Sequence, residues 1–214
     1  MDENFKFGTI EYVRPDFEKI KKDAYAYAEK IKNATSYGEA RKTFLEFDKE
    51  ESAFFDMVTV ASIRHTIDTS DEFYDKENEY LNEQVPEYSS AYMELANTLY
   101  DCAFKDDFVK EFGNSMFSNI EIQRKSYCEK NIPLLQKEAK LCSEYEKIIA
   151  SADIVFDDKH LNLYGIMSYF ENPDRQIRHD AYKAYSDFYA SNEKRFEEIW
   201  DELIKVRTEQ AKNL

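Results

Sequence analysis

The sequence predicts an all-α protein, a multi-helix lobe with long kinked helices and one small β-hairpin near residues 153–163. Three observations predict it. Only 4 Gly and 4 Pro occur in 214 residues, so few positions force the backbone out of a helix. Apolar residues recur three and four apart through most of the chain, the spacing of one face of an α-helix. One stretch, residues 152–163, departs from that period with a β-branched run, a polar turn and an alternating run. With 43% apolar residues, including 16 Tyr and 16 Phe, the chain has ample material for a core.

Residues 1–14 read as a polar and aromatic lead-in. Pro15 suits the first turn of a helix whose apolar positions are Phe17, Ile20, Ala24, Ala28 and Ile31. Residues 33–38 break it. A second helix is predicted from about residue 39 to Ile67, with Phe44, Phe47, Phe54, Val58 and Ala61 turned inward. Lys49, Glu50 and Glu51 are expected to face outward for one turn. Thr69 followed by Glu72 forms a capping box, which starts a third helix at about Asp71. That helix carries Phe73, Tyr80, Tyr88, Ala91, Leu95 and Leu99, and Pro86 in its middle predicts a kink or a short restart.

A fourth helix, about residues 106–129, contains Gly113, which weakens it. A fifth follows Pro133 with Leu134, Leu135, Ala139, Cys142, Tyr145 and Ile149 on its apolar face. Ile154-Val155-Phe156, a turn at Asp157-Asp158-Lys159 and the run from His160 to Leu163 then form the hairpin. Two strands alone are marginal in water, so the ribbon is expected to lie on the helices or to pair with another part of the protein. Asn172 caps the next helix, with Pro173 at its first position and Asp174 complementing the dipole. Ile177, Ala181, Ala184, Tyr185 and Phe188 are its buried stripe. A last helix from about Asn192 presents Phe196, Ile199, Leu203 and Val206, and it meets Leu214 with no glycine cap or proline stop, so it is expected to continue.

Acidic residues outnumber basic ones 44 to 29, for a net charge of -15. Such a surface repels phosphate backbones and anionic lipid, so no nucleic-acid partner is expected. No apolar run is long enough to span a bilayer, so no membrane association is expected either. Cys102, Cys128 and Cys142 are widely spaced with no C-x-x-C, which fits neither a disulfide framework nor a zinc ribbon. The start, Met1-Asp2-Glu3-Asn4, is acidic where a signal peptide is basic, so the expected location is the cytoplasm.

The most chemically distinctive stretch is the corner between the second and third helices. His65 precedes Asp68 by three residues and Arg64 precedes it by four, which sets an imidazole and a guanidinium beside a carboxylate on one helix face. Such a pair either satisfies a partly buried ring or works as an acid/base pair on a cleft wall. No third group nearby completes a catalytic set.

Ala61-Ser62-Ile63-Arg64-His65-Thr66-Ile67-Asp68-Thr69 with Asp71-Glu72-Phe73-Tyr74, Ile149-Ala150-Ser151-Ala152, the Asp157-Asp158 turn, Asn172-Pro173-Asp174-Arg175 with Arg178 and Ala181-Tyr182, and Lys205-Val206-Arg207-Thr208 together resemble the N-terminal part of oligoendopeptidase F-type zinc metallopeptidases, relatives of thimet oligopeptidase. The resemblance runs from about Tyr12 to Leu214. It implies a helical, clam-like fold with a deep channel, in which a zinc-activated water cuts short peptides. In that family an H-E-x-x-H helix and a later glutamate hold the metal. Here the histidines are His65, His160 and His179, none is followed by Glu, and none has a second histidine four residues on.

No catalytic residue or metal ligand of the family can therefore be placed on these residues. Zinc is expected in the full-length family enzyme and no cofactor in this chain. Residues 1–214 would form the N-terminal helical lobe, preceding the zinc-binding half. Arg64, His65, Asp68, Tyr164 and Arg178 would line the channel or hold the lobe together. His160 and His179 are expected at the surface. The alternative is a freestanding helical binding or scaffold protein that keeps the lobe without the chemistry. An isolated lobe would leave the stripe Phe196, Ile199, Leu203, Val206 and the ribbon edge at residues 154–156 bare, which predicts self-association.

Overall fold

Asp16 starts the first helix. Its carboxylate accepts a hydrogen bond from Lys19 N–H at 2.9 Å, so α1 runs Phe17–Lys32 and Pro15 precedes the cap instead of entering the first turn. The computed structural model describes residues 6–214, and the acidic start at residues 1–4 lies outside the described residues. Phe17, Ile20, Ala24, Ala28 and Ile31 are all buried, the stripe the periodicity predicts.

α2 (Tyr37–Ile67) begins at Ser36, whose hydroxyl accepts from Glu39 N–H, while the Glu39 carboxylate reaches back to Thr35 N–H at 2.8 Å. This reciprocal cap places Gly38 inside the helix, where the sequence reads a break. α3 (Glu72–Asp101) is capped by Asp71, not Thr69: the Asp71 carboxylate accepts from Phe73 N–H and Tyr74 N–H. It continues through Pro86 without a restart, and Ser89 Oγ donates to the Pro86 carbonyl. The predicted fourth helix is two, α4 (Lys105–Phe112) and α5 (Asn114–Ser126), because Gly113 takes φ 88° and ends the first.

Two compact units divide the chain, one reaching Ile132 and the other spanning Pro133–Asn213. In the first, α3 packs against α1, α2, α4 and α5. Phe17, Phe47 and Phe108 are almost wholly buried, and aromatic edges meet through this core, as in Phe17 against Phe54 at 4.8 Å.

In the second unit α6 (Ile132–Ala150) turns Leu134, Leu141 and Ile148 toward Ile199, Leu203 and Val206. Leu135 and Tyr145, read as inward-facing, are exposed, because the seven-residue row 134, 141, 148 takes the partner helix instead. β1 (Ile154–Phe156) and β2 (Lys159–Leu161) pair antiparallel with Ile154 opposite Leu161. Asp157 and Asp158 both adopt positive φ, 52° and 55°, as a two-residue hairpin turn requires. The ribbon lies on helices: Ile154 joins Leu163, Ile166 and Ala181 in one apolar cluster. Leu163, read as the end of the second strand, starts α7 (Leu163–Met167), with Asn162 accepting from Gly165 N–H at 2.8 Å.

α8 (Arg175–Lys212) is one helix of 38 residues where the sequence reads two. Asp174 is its cap, accepting from Gln176 N–H at 2.7 Å, and Asn172 serves the preceding turn by accepting from Asp174 N–H. Asn192 starts nothing, since its amide donates to the Phe188 carbonyl one turn back. The stripe predicted bare is covered: Ile199 and Val206 are 2% and 4% exposed against Leu141. Arg195 pairs with Glu144, and Arg207 with Glu138 at 2.7 Å, along the same seam. Among the described residues, no helix is long and apolar enough to cross a membrane.

Candidate functional site

The corner residues are pulled in three directions. His65, 2% exposed, sits with Nε2 at 3.3 Å from Asp75 of α3, not beside Asp68. Asp68 instead accepts from Ser70 N–H at 2.9 Å and Ser70 Oγ at 2.6 Å, and these bonds hold its carboxyl below the usual range. Arg64 donates to the Tyr74 hydroxyl and, at 2.6 Å, to the Ile10 carbonyl. The expected side-by-side set is absent because the helix ends at Ile67 and the chain reverses, which brings Asp75 to the ring. The result is a joint binding α2, α3 and the lead-in together.

Beside it lies a group that spacing alone did not reveal. Glu77 of α3 is 1% exposed and accepts from the Tyr12 hydroxyl at 2.6 Å and from the Arg14 guanidinium. Arg14 lowers the Glu77 carboxyl, while burial and then the bond to Glu77 push the Tyr12 hydroxyl up. A signal existed, since Glu77 stands four residues before Leu81 on the apolar stripe of α3.

Tyr164 and Arg178 belong to the second unit. Tyr164 projects from α7 and is 81% exposed. Arg178 donates to the carbonyls of Asn172 at 2.6 Å and Pro173 at 3.0 Å, fastening the turn that leads into α8. It also lines an open cavity of about 550 Å³ with Phe170, Arg175, His179, Tyr182 and Lys183. The rings of Phe170 and Tyr182 lie 5.4 Å apart. Lys183 is paired with Asp187 and His179 with Asp180, whereas Arg175 has no ion-pair partner among the described residues and Arg178 meets only neutral carbonyls.

Asp174 at the cap of α8 complements the helix dipole, and the first turn itself adds no further acid. In a chain of net charge -15 this is a local positive face with an aromatic floor, suited to carboxylates and apolar side chains. The sequence singles out Arg178 as a candidate, whereas Arg175 and Tyr182 stand only among the motifs of the resemblance and Lys183 carries no signal.

The zinc that the resemblance implies is not fitted by these residues. Each histidine is engaged with a different carboxylate: His65 with Asp75, His160 with Asp153 at 2.8 Å, and His179 with Asp180 at 3.0 Å. Among the described residues no group of three or more His, Cys, Asp or Glu side chains converges as a metal site. No step of metal chemistry is therefore derived for this chain.

Comparison with solved structures gives the class: a helical peptidase lobe. The chain superposes on PZ peptidase A, solved with an inhibitor, over 97% of its length at TM-score 0.93 and 33% identity. An oligoendopeptidase F matches over 97% at TM-score 0.94 and 32% identity, and another from Bacillus anthracis str. Ames over 96% at 0.93 and 31%. The chain spans 37% of the length of the first two and 38% of the third. Residues 7–127 match the Peptidase M3 N-terminal domain, and the chain belongs to that family. No curated protein matches its sequence.

Proposed function

We propose that this chain is the N-terminal, non-catalytic lobe of a cytoplasmic zinc metalloendopeptidase of the oligoendopeptidase F type, one that hydrolyses short peptides. The lobe supplies part of the wall of the substrate channel. The observation that carries this reading is the match of 96–97% of this chain to the oligoendopeptidase F structures at 31–32% identity, combined with the family match in the first unit. The positive, aromatic-floored face at Arg175, Arg178 and Tyr182 gives the lobe a means of holding peptide carboxylates and apolar side chains. The zinc and its general base are assigned to the part of the parent enzyme that the relatives have beyond this third of their length. The three free cysteines fit a reducing compartment.

The test uses the parent gene product. Its reading frame is expected to contain an H-E-x-x-H helix after residue 214, and the purified enzyme should cleave a quenched fluorescent peptide in a chelator-sensitive reaction. Residues 1–214 alone should leave that peptide uncut. In the parent, Arg175→Glu with Tyr182→Ala should raise KM about tenfold with kcat unchanged, as loss of uniform binding does. A frame that ends without the motif, or chelator-sensitive cleavage by residues 1–214 alone, would overturn the proposal.

A further inference from the structure

Glu51 breaks the pattern of its own helix. Position 51 falls four residues after Phe47 and three before Phe54, on the stripe that α2 turns inward, so it does not face outward with Lys49 and Glu50 as its neighbours in sequence suggest. Its carboxylate is half-buried and accepts from the Tyr88 hydroxyl. Neither Glu51 nor Asp48, one turn earlier, has an ion-pair partner among the described residues. A carboxylate withdrawn from water without a cation is costly, and burial accordingly holds the Glu51 carboxyl above its ordinary value.

Both acids line a cavity of about 340 Å³ between α2, α3 and α5. Its floor is apolar: Phe47, Leu95, Leu99 and Ile120 are each at most 4% exposed. Asn119 and Gln123 of α5 stand at the rim. That volume is about ten times the share of one water in the liquid. It falls at the lower end of the roughly 300–1,000 Å³ of small-molecule sites.

Charge complementarity selects the occupant. An anion would meet two carboxylates, and a neutral hydrocarbon would cover the floor while leaving Glu51 uncompensated. An ammonium with an apolar body satisfies both parts of the cavity. We propose that this cavity binds a small primary amine carrying an aromatic or branched aliphatic group, with its ammonium on Glu51 and Asp48 and its hydrocarbon against Phe47, Leu95 and Ile120. The site lies within the first unit and shares no residue with the peptide-holding face proposed above, so it stands or falls independently of that reading.

Isothermal titration of the 214-residue chain with phenethylamine, 2-phenylethanol and phenylacetate compares one shape in three charge states. The amine should bind saturably, the alcohol at least about tenfold more weakly because it lacks the charge-assisted hydrogen bond, and the acid not at all. Glu51→Gln retains an acceptor for Tyr88 and should cost the amine about tenfold or more. Asn119→Lys, on the exposed rim, sets a competing ammonium at the mouth without touching the core and should cost a similar factor.

Lowering the pH from about 8 to about 4.5 should also weaken the amine as Glu51 takes up a proton, because the ligand stays charged throughout. The other titratable groups facing Glu51 are Asp48 on α2 and Tyr88 and Tyr92 on α3, and both tyrosines are held above their ordinary values. Equal affinities for amine and alcohol, no saturable binding, a pH-independent affinity, or an unchanged affinity in either variant would overturn the proposal.

Discussion

Replacing Glu77 by Gln isolates the electrostatic tie between the lead-in and α3. The side chain is 1% exposed and bonds to Tyr12 and Arg14, which lie 65 and 63 residues away in sequence. Glutamine keeps its volume and one acceptor oxygen, so the change is one of charge with little change in packing. A hydrogen bond to a charged group contributes about 1.5–3 kcal/mol against about 0.5–1.5 for a neutral one. Two partners therefore put the loss at about 2 kcal/mol, and solvent screening of Arg14, 57% exposed at its side chain, reduces it to about 1–2 kcal/mol.

The pH dependence is the sharper signature. Arg14 foremost, with Tyr12, holds the folded-state carboxyl of Glu77 below its ordinary 4.5. A depressed folded value means that the stabilisation is complete above the unfolded value and is lost as pH falls through the folded one. The parent should thus exceed the variant by the full amount at neutral pH and converge with it below about pH 4.5. Urea unfolding followed by far-UV circular dichroism, with hydrogen exchange of the α1 and α3 amides, measures both. No loss at neutral pH, or the same loss at about pH 3, would refute the electrostatic account.

Three further outcomes follow from the packing. Leu141→Ala should remove about 2–4 kcal/mol from the second unit by opening a cavity against Ile199 and Val206, read as a lower urea midpoint in the fluorescence of Trp200, the single tryptophan. Gly113→Ala should cost about 1–2 kcal/mol in a thermal melt, because φ 88° strains any side chain although nothing lies within 4 Å of the added methyl. With the Ile199 stripe covered, self-association of the isolated chain is expected instead through the exposed Trp200 and Ile204, one turn apart. Sedimentation over a wide concentration range should show it, and Trp200→Glu should weaken it.

The parts of the fold legible in sequence are those decided within a few residues. All five apolar positions of α1 are buried as its period requires, and the Asp157-Asp158 turn closes the hairpin that the β-branched run announces. Helix starts were less legible because several capping residues compete at each. Asp16, Asp71 and Asp174 win over the neighbouring Pro15, Thr69 and Asn172, since each places a carboxylate oxygen on an early helix amide. The unbroken α8 was hidden for a similar reason: Asn192 is a good cap by type, but its amide finds the Phe188 carbonyl within a continuing helix.

The candidate sites follow a different rule, because their decisive contacts are long-range. His65 was visible as a histidine at a helix end, yet its partner depends on how the chain reverses after Ile67, and Asp68 is consumed by Ser70 two residues on. Glu51 and Glu77 carried a local signal, an acid on an apolar stripe, which says that some compensation must exist without saying what it is. For Glu77 the fold answers with Tyr12 and Arg14. For Glu51 it supplies one tyrosine hydroxyl and no cation among the described residues, beside an apolar cavity. Two acids with the same sequence signature, Glu77 buried and Glu51 half-buried, thus divide into a structural tie and a candidate binding site, and what separates them is whether the protein itself brings the positive charge.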